Sequence, residues 1–323
     1  MKKISFMIIM IVTIVQGCTK GGENMPVFVE PSNSVSTNET PALEEEIAAV
    51  TGLEKLIYHV GPVDLEAHTD SETMLDRPLL MRFQLDKPMW IIGFEPKVVD
   101  GSGKTLPSEL LHSALVSNMN EENPLCRKGS SGNPFVLASS LLTSVNFPEG
   151  YGYPISPKDT LEARIVFKNQ TDESFVDVFY EIVLLAKPMN EFVALKNLKP
   201  MLVEFDPCNH TPLEIEPSLF TEKKMSYELP VSGNLLTAVG VLQDFGSTIT
   251  LQKEDSSDPV WKTEAIVDEN HHIEEMINNP FEDPSGIPLK EGEKIELSVG
   301  FDNFSDRWIN DALPGVLLYL SGE

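Results

Sequence analysis

The sequence predicts an all-β protein built from two β-sandwich domains. From about residue 81 onward, short apolar runs with the strand period recur between turns rich in proline and glycine. No segment after residue 60 carries a 3.6-residue apolar stripe long enough for a major helix. The length of 323 residues suits two domains of roughly 100–200 residues each.

The first predicted domain covers residues 51–190. Within it, Leu161 to Phe167 alternates apolar and polar residues, which predicts a strand with one buried face. Phe175 to Ala186 is nearly continuous in apolar residues, as in a strand covered on both faces. Further strands are predicted at Met81–Leu85, Met89–Phe94, Leu110–Val116 and Phe135–Leu142.

The second predicted domain covers residues 191–323, after a linker-like stretch from Pro188 to Pro200. Apolar runs of strand length continue through it, divided by turn residues. Strands are predicted at Met201–Phe205, Leu213–Ile215, Met225–Leu229, Leu235–Leu242, Thr248–Leu251, Val260–Val267, Ile295–Val299 and Val316–Leu320.

Residues 1–17 have the pattern of a signal peptide. A basic start is followed by the apolar run Ile4–Val15, which is shorter than the ~20 residues that span a membrane. The end of the run, with Gly17 before Cys18, resembles the bacterial lipobox, although Gln16 stands where a small residue is usual. This resemblance implies lipidation at Cys18 and a location in the bacterial cell envelope. The alternative is an ordinary secretory signal with an incidental cysteine.

Residues 18–50 are predicted to form a tether, because glycine, proline and short polar residues dominate and apolar periodicity is weak. A lipid at Cys18 would thus hold the folded body away from the membrane surface. The formal net charge of −26 argues against nucleic acid as a partner and against adhesion of the folded body to anionic lipids. We expect partners to be the membrane, through the N-terminal lipid, and an unidentified envelope protein or glycan.

Sequence motifs for common catalytic centres are absent. The chain contains no Gly-x-Ser-x-Gly, no phosphate-binding loop of the Walker type and no His-Glu-x-x-His. His271 and His272 lie among acidic residues, but adjacent side chains on a strand point to opposite faces, so we expect no specific metal site there. His59, His68 and His210 are predicted to be surface or hydrogen-bonded histidines.

Several segments, taken in order, resemble the copper type II, ascorbate-dependent monooxygenase family, which includes peptidylglycine α-hydroxylating monooxygenase. The family pattern has a His-His strand, a cysteine, a Pro-x-Gly-x-Gly loop and a strand ending in His-Tyr. A Gly-His-x-His-Asp-x-Gly element and a closing segment with a methionine follow. The corresponding stretches here are 111–116, 124–126, 147–154, 161–169, 240–246 and 301–315. The resemblance implies tandem jelly-roll-like sandwiches, an architecture shared by peptide N-glycanase F.

The copper ligands that this resemblance implies are mostly replaced. Position by position, they fall at His112, Ser113, about Val166, Val241, Gln243 and about Leu313, so a single imidazole remains. Valine and leucine offer no lone pair to a metal, and we therefore expect no cofactor. His112 is interpreted as a hydrogen-bonded strand histidine, or alternatively as a weak ligand with a rearranged partner such as His210.

Three functions remain open at the level of sequence. The preferred hypothesis is a catalytically inactive, monooxygenase-like envelope lipoprotein that binds or scaffolds a partner. The alternatives are a residual copper-dependent or other metal-dependent oxidoreductase and a glycan or amide hydrolase on the same fold. A groove between the domains lined by Trp90, Trp261 or Trp308 would favour an enzyme or glycan binding, but each of these tryptophans is expected to be a core residue. In an oxidising envelope, Cys126 and Cys208 are predicted either to pair or to remain two separate buried thiols.

Overall fold

A computed structural model describes residues 52–126, 132–190, 194–217, 220–269 and 272–322. The predicted all-β class is confirmed: in these ranges helical structure is limited to the short helix α1 (Ser71–Leu75) and a 3₁₀ turn at Ser108–Leu110. The predicted signal peptide 1–17, Cys18, the tether 18–50 and His271 lie outside the described residues.

The strands are β1 (Glu54–Leu65), β2 (Leu79–Phe83), β3 (Met89–Val99), β4 (Leu111–Asn118), β5 (Asn133–Ala138), β6 (Val145–Asn146), β7 (Tyr151–Ile155), β8 (Leu161–Phe167), β9 (Phe175–Pro188), β10 (Lys196–Glu204), β11 (Leu213–Ile215), β12 (Thr221–Glu228), β13 (Gly233–Val241), β14 (Gly246–Lys253), β15 (Pro259–Val267), β16 (Ile273–Met276), β17 (Phe281–Leu289), β18 (Lys294–Phe301), β19 (Ile309–Ala312) and β20 (Gly315–Ser321).

The described strands form four sheets. A nine-stranded sheet has the order β1-β9-β3-β7-β10-β20-β13-β17, with β6 added beside β3. A four-stranded sheet, β2-β8-β4-β5, and a five-stranded sheet, β12-β18-β14-β15-β16, complete the layers, and β11 pairs with β19. The four-stranded sheet belongs to the N-terminal half of the chain (residues 52–190) and the five-stranded sheet to the C-terminal half (residues 194–322).

The strands of the two halves join at β7 and β10, which pair in parallel over Lys196 with Tyr151 and Asn197 with Gly152. The expectation of a linker up to Pro200 was therefore wrong, because β10 begins at Lys196. Its first residues are polar and exposed, and its burial pattern starts only at Leu198. When the first residues of a strand lie outside the core, they need not be apolar, and the apolar pattern of the sequence then does not show where the strand begins.

Strand β8 shows the alternation that its sequence predicted. Leu161, Ala163, Ile165 and Phe167 point into the N-terminal hydrophobic core and are fully buried. The alternate residues, from Glu162 to Lys168, therefore lie on the outer face of the four-stranded sheet. On that face Arg164 pairs with Leu115 of β4, and Val166 pairs with Ser113.

Strand β20 is buried on both faces and serves two hydrophobic cores. Leu317 and Tyr319 belong to the core of the N-terminal half, whereas Val316, Leu318 and Leu320 belong to the core of the C-terminal half. The hydroxyl of Tyr319 also donates a hydrogen bond of 2.8 Å to the carbonyl of Phe135 in β5. The central part of the nine-stranded sheet is thus covered by packed side chains from both directions.

Candidate functional site

A cleft lies between the outer face of the four-stranded sheet and the C-terminal half. It contains a partly open cavity of about 40 Å³, and a smaller space of about 10 Å³ lies beside His112. Most of the lining of the larger cavity is apolar, with a few polar and charged groups. Its lining residues are Ser113, Ala114, Leu115, Leu137, Arg164, Val166, Glu204, His210, Val241 and Leu313.

The six positions singled out from the sequence come together at these two spaces. Four of them line the larger cavity: Ser113 and Val166 from the N-terminal half, and Val241 and Leu313 from the C-terminal half. His112 and Gln243 line the smaller space. Residues as far apart in sequence as Ser113 and Leu313 therefore meet in the cleft.

A β-bulge in β4 sets the direction of His112. The register with β8 shifts between Leu111 and Ser113, so that His112 is the extra residue. Its Nε2 lies 3.1 Å from the Asp311 carbonyl oxygen, and its Nδ1 lies 3.3 Å from Ser113 Oγ. Because a carbonyl can only accept, Nε2 carries the proton and Nδ1 accepts from the serine hydroxyl.

Burial keeps His112 uncharged at neutral pH. The side chain is only 3% exposed, and loss of hydration lowers its pKa to about 4, although the Asp311 carboxylate acts in the opposite direction. Ser71 of α1 donates a hydrogen bond to that carboxylate. His112 is therefore a neutral hydrogen-bonding residue that fixes β4 against β19 across the cleft.

The remaining predicted positions are held by mutual contacts. The Gln243 side chain accepts from the Leu313 backbone N–H at 2.8 Å and donates to the Leu313 carbonyl at 3.2 Å. Val166 and Val241 are 2% and 1% exposed and pack in the cleft. Beside them Lys168 forms an ion pair of 2.7 Å with Asp244, which again joins the two halves.

These residues do not fit a copper centre. Copper requires imidazole, thiolate or thioether donors in a defined geometry. Both ring nitrogens of His112 lie within hydrogen-bond distance of oxygen atoms, and both polar ends of the Gln243 amide bond Leu313. Across the ranges that the structure describes, no group of three or more His, Cys, Asp or Glu side chains is arranged to hold a metal ion.

The sequence did not identify three charged or titratable residues of the cavity as a group: Glu204, His210 and Arg164. Glu204 and His210 form a close buried contact through the His210 Nδ1, and Tyr227 donates to the Glu204 carbonyl. Arg164 is half-buried on β8. Burial lowers the pKa of Arg164, while the nearby charges of Glu204 and Glu162 raise it. The alternation of β8 was the available signal, since it places Arg164 on the same face as Val166.

A disulfide connects the halves near this cavity. Cys126 and Cys208 are bonded with a Cα–Cα distance of 5.2 Å. The carboxamide of Asn123 donates to the Pro207 carbonyl at 3.0 Å, and the His210 backbone N–H donates to the Asp206 carbonyl at 2.9 Å. The cystine and these hydrogen bonds position the turn that carries His210 to the cavity.

The other histidines named from the sequence lie away from the cleft. His59 contacts Glu181 at 2.9 Å and His68 contacts Asp172 at 3.1 Å. His272, the described member of the predicted His-His pair, is exposed and contacts Asp268 at 3.3 Å. These are local contacts between one histidine and one carboxylate.

The tryptophans do not line the cavity. Trp90 and Trp261 are buried at 7% and 2% exposure, as expected for core residues. Trp308 is 55% exposed, so the expectation that it is a core residue was wrong. It lies in the segment between β18 and β19, directly before the first residue of β19. The groove that would have favoured glycan binding is thus not lined by tryptophan.

Comparison with known proteins identifies no family. No protein-family model and no curated protein matches the chain. Among solved structures, the chain is similar to VP54 of PBCV-1, from a crystal structure fitted into a cryo-EM reconstruction of the virophage Sputnik. The identity is 7% and the TM-score 0.26, with 83% of this chain and 94% of that chain covered.

No helix among the described residues is long and apolar enough to cross a membrane.

Proposed function

We propose that the protein is an exported, lipid-anchored protein of the bacterial cell envelope that binds or scaffolds a partner without catalysis. In this proposal residues 51–190 and 191–323 form two tandem jelly-roll-like sandwiches of the monooxygenase type. The observation that carries it is the bonding within the cleft. At the positions where the family resemblance implies metal ligands, Val166 and Val241 are buried, Gln243 and Leu313 bond each other, and His112 bonds the Asp311 carbonyl of the other half.

Lipid anchoring is supported by the order of the N-terminal segments: a short apolar run, Cys18, and then about thirty residues of linker composition. It is tested by metabolic labelling of the full chain with a radioactive fatty acid in a bacterial host. We expect label and membrane sedimentation for the wild type and for the control Thr19→Ser. Both should be lost in Cys18→Ser. A labelled Cys18→Ser protein would contradict the proposal.

The absence of copper chemistry is tested by titration of the purified full chain with Cu(I), Cu(II) and Zn(II). Bound metal is then measured by elemental mass spectrometry after dialysis. We expect no stoichiometric metal, because His112 lies buried with both ring nitrogens engaged. Tight, stoichiometric copper that disappears in His112→Ala but persists in His272→Ala would restore the oxidoreductase alternative.

A hydrolase is the second candidate, favoured by the Ser113–His112–Asp311 contacts. A serine hydroxyl beside an imidazole that a carboxylate faces is the arrangement of an activated nucleophile. Against it stands the low pKa of His112, about 4, which makes the imidazole a weak base at neutral pH. Labelling by a fluorophosphonate probe that is lost in Ser113→Ala but retained in Ser117→Ala would favour hydrolysis.

A further inference from the structure

Arg164 is a charged residue of the cleft whose guanidinium has no bonding partner among the described residues. It is half-buried on the outer face of β8 and lines the 40 Å³ cavity. Within the described part of the chain, its guanidinium takes part in no ion pair and no side-chain hydrogen bond, whereas Arg82, on the neighbouring strand β2, bonds Glu162 at 2.7 Å. A guanidinium has five N–H donors, and those of Arg164 reach solvent, since no nitrogen of this residue is among the buried side-chain atoms that lack a hydrogen-bond partner.

The carboxylates nearest to Arg164 are already engaged by other residues. Glu162 bonds Arg82, and Glu204 contacts the His210 ring. Both raise the pKa of Arg164 through their charge, against the lowering that burial causes. They therefore stabilise the cation from a distance without meeting its donors. An added anion would replace water on the Arg164 donors, and the contact of His210 with Glu204 offsets the charge of the carboxylate that also lines the cavity.

The cavity beside Arg164 has a defined size and lining. About 40 Å³ holds roughly three water molecules, if each needs about 10–15 Å³ by this measure. This corresponds to a ligand of about three to four heavy atoms. Val166, Val241 and Leu313 provide apolar surface, and Ser113 adds a hydroxyl. A guanidinium matches the two oxygens of a carboxylate with two parallel hydrogen bonds, and apolar walls suit the attached carbon.

We propose that this cavity binds a small aliphatic carboxylate of the size of acetate, with its oxygens on Arg164 and its carbon against Val166, Val241 and Leu313. This inference rests on the proposed function, since it takes the cleft to be a binding site rather than a metal centre. It specifies a ligand class for that site.

Isothermal titration calorimetry with sodium acetate tests the proposal, using the full chain in a non-ionic detergent and a carboxylate-free buffer. Wild type is compared with Arg164→Met and with Arg77→Met, a matched control because Arg77 is exposed and outside the cleft. We expect one saturable acetate site per chain in wild type and Arg77→Met. In Arg164→Met, affinity should fall at least tenfold.

Sodium chloride at the same ionic strength is titrated in parallel and should give no comparable saturation. The proposal is overturned if wild type shows no saturable site, if chloride matches acetate, or if Arg164→Met binds as wild type does. Should Arg164→Met fail to fold, Arg164→Lys keeps the charge but loses the planar fork and should still bind acetate more weakly than wild type. A negative result leaves the fatty-acid labelling test of the proposed function unaffected.

Discussion

The pH dependence of stability offers a direct test of the buried, neutral state of His112. In the folded protein its pKa is about 4, against an ordinary value of 6.5. The unfolded chain therefore binds a proton at this residue more readily than the folded one. Stability should be retained above pH 6.5 and should fall as the pH drops towards 4, because protonation favours the unfolded state. The substitution His112→Gln removes this titration while retaining a donor for the Asp311 carbonyl.

The magnitude follows from the two pKa values. Each unit of difference corresponds to about 1.4 kcal/mol. Integrating between about pH 7.5 and pH 5, wild type should lose about 2 kcal/mol of unfolding free energy through His112. This window stays above the range where carboxyl groups with lowered pKa, such as Asp206 and Asp283, begin to take up protons. The side chain is fully enclosed, so solvent screening does not reduce the effect.

The assay is urea unfolding at several pH values in this window, followed by the fluorescence of the buried tryptophans. His112→Gln should show about 2 kcal/mol less change than wild type between the two limits. His272→Gln, which alters an exposed histidine, should keep the wild-type profile. Equal pH slopes for His112→Gln and wild type would refute the argument, because the folded state would then bind a proton at His112 as easily as the unfolded chain.

Three further variants test the packing of the cores and the links between the halves. Replacing both Cys126 and Cys208 with serine opens a loop spanning 82 residues and should lower the free energy of unfolding by about 4.5 kcal/mol in the chain-entropy account. In Gly240→Ala the new Cβ would overlap the Trp261 ring, and we expect a loss of about 1–3 kcal/mol from overpacking. Tyr319→Phe removes a buried hydrogen bond of 2.8 Å and should cost about 1–2 kcal/mol. Each loss is measured by urea unfolding.

Matched controls separate these effects from general damage. Gly322→Ala places its Cβ in ordinary contact, 4.0 Å from the nearest atom of Lys199, and should leave stability unchanged. Tyr151→Phe alters a half-buried tyrosine of β7 and should cost less than Tyr319→Phe. A reducing agent should destabilise wild type but not the double serine variant. If each variant and its control lost the same free energy of unfolding, the result would contradict the packing described above.

The sequence was sufficient for the strands whose burial follows a simple pattern. Strand β8 begins and ends at its predicted residues, Leu161 and Phe167, because one face alternates cleanly. By contrast, β1 was not predicted, since its buried residues are few and irregularly spaced. Strand β17 was also missed, because Pro284, Gly286 and Pro288 interrupt it at the edge of the sheet. An edge strand is held by backbone hydrogen bonds to one neighbouring strand, and the periodicity of its own sequence does not reveal that pairing.

The candidate site was predictable in part of its membership but not in its bonding. The family resemblance singled out Val166, Val241 and Leu313, which line one cavity, but not Arg164 or Glu204, which line it too. The exchange of hydrogen bonds between Gln243 and Leu313 depends on a contact across 70 positions of sequence. The unpaired state of Arg164 was equally hidden, because it depends on where every nearby carboxylate lies.

The burial of β20 on both faces has a consequence for how the protein unfolds. Side chains of this one strand, Gly315–Ser321, belong to both hydrophobic cores. Displacement of β20 would therefore expose apolar surface in the N-terminal and C-terminal halves at the same time. We expect the two halves to lose their structure in a single cooperative transition rather than one after the other.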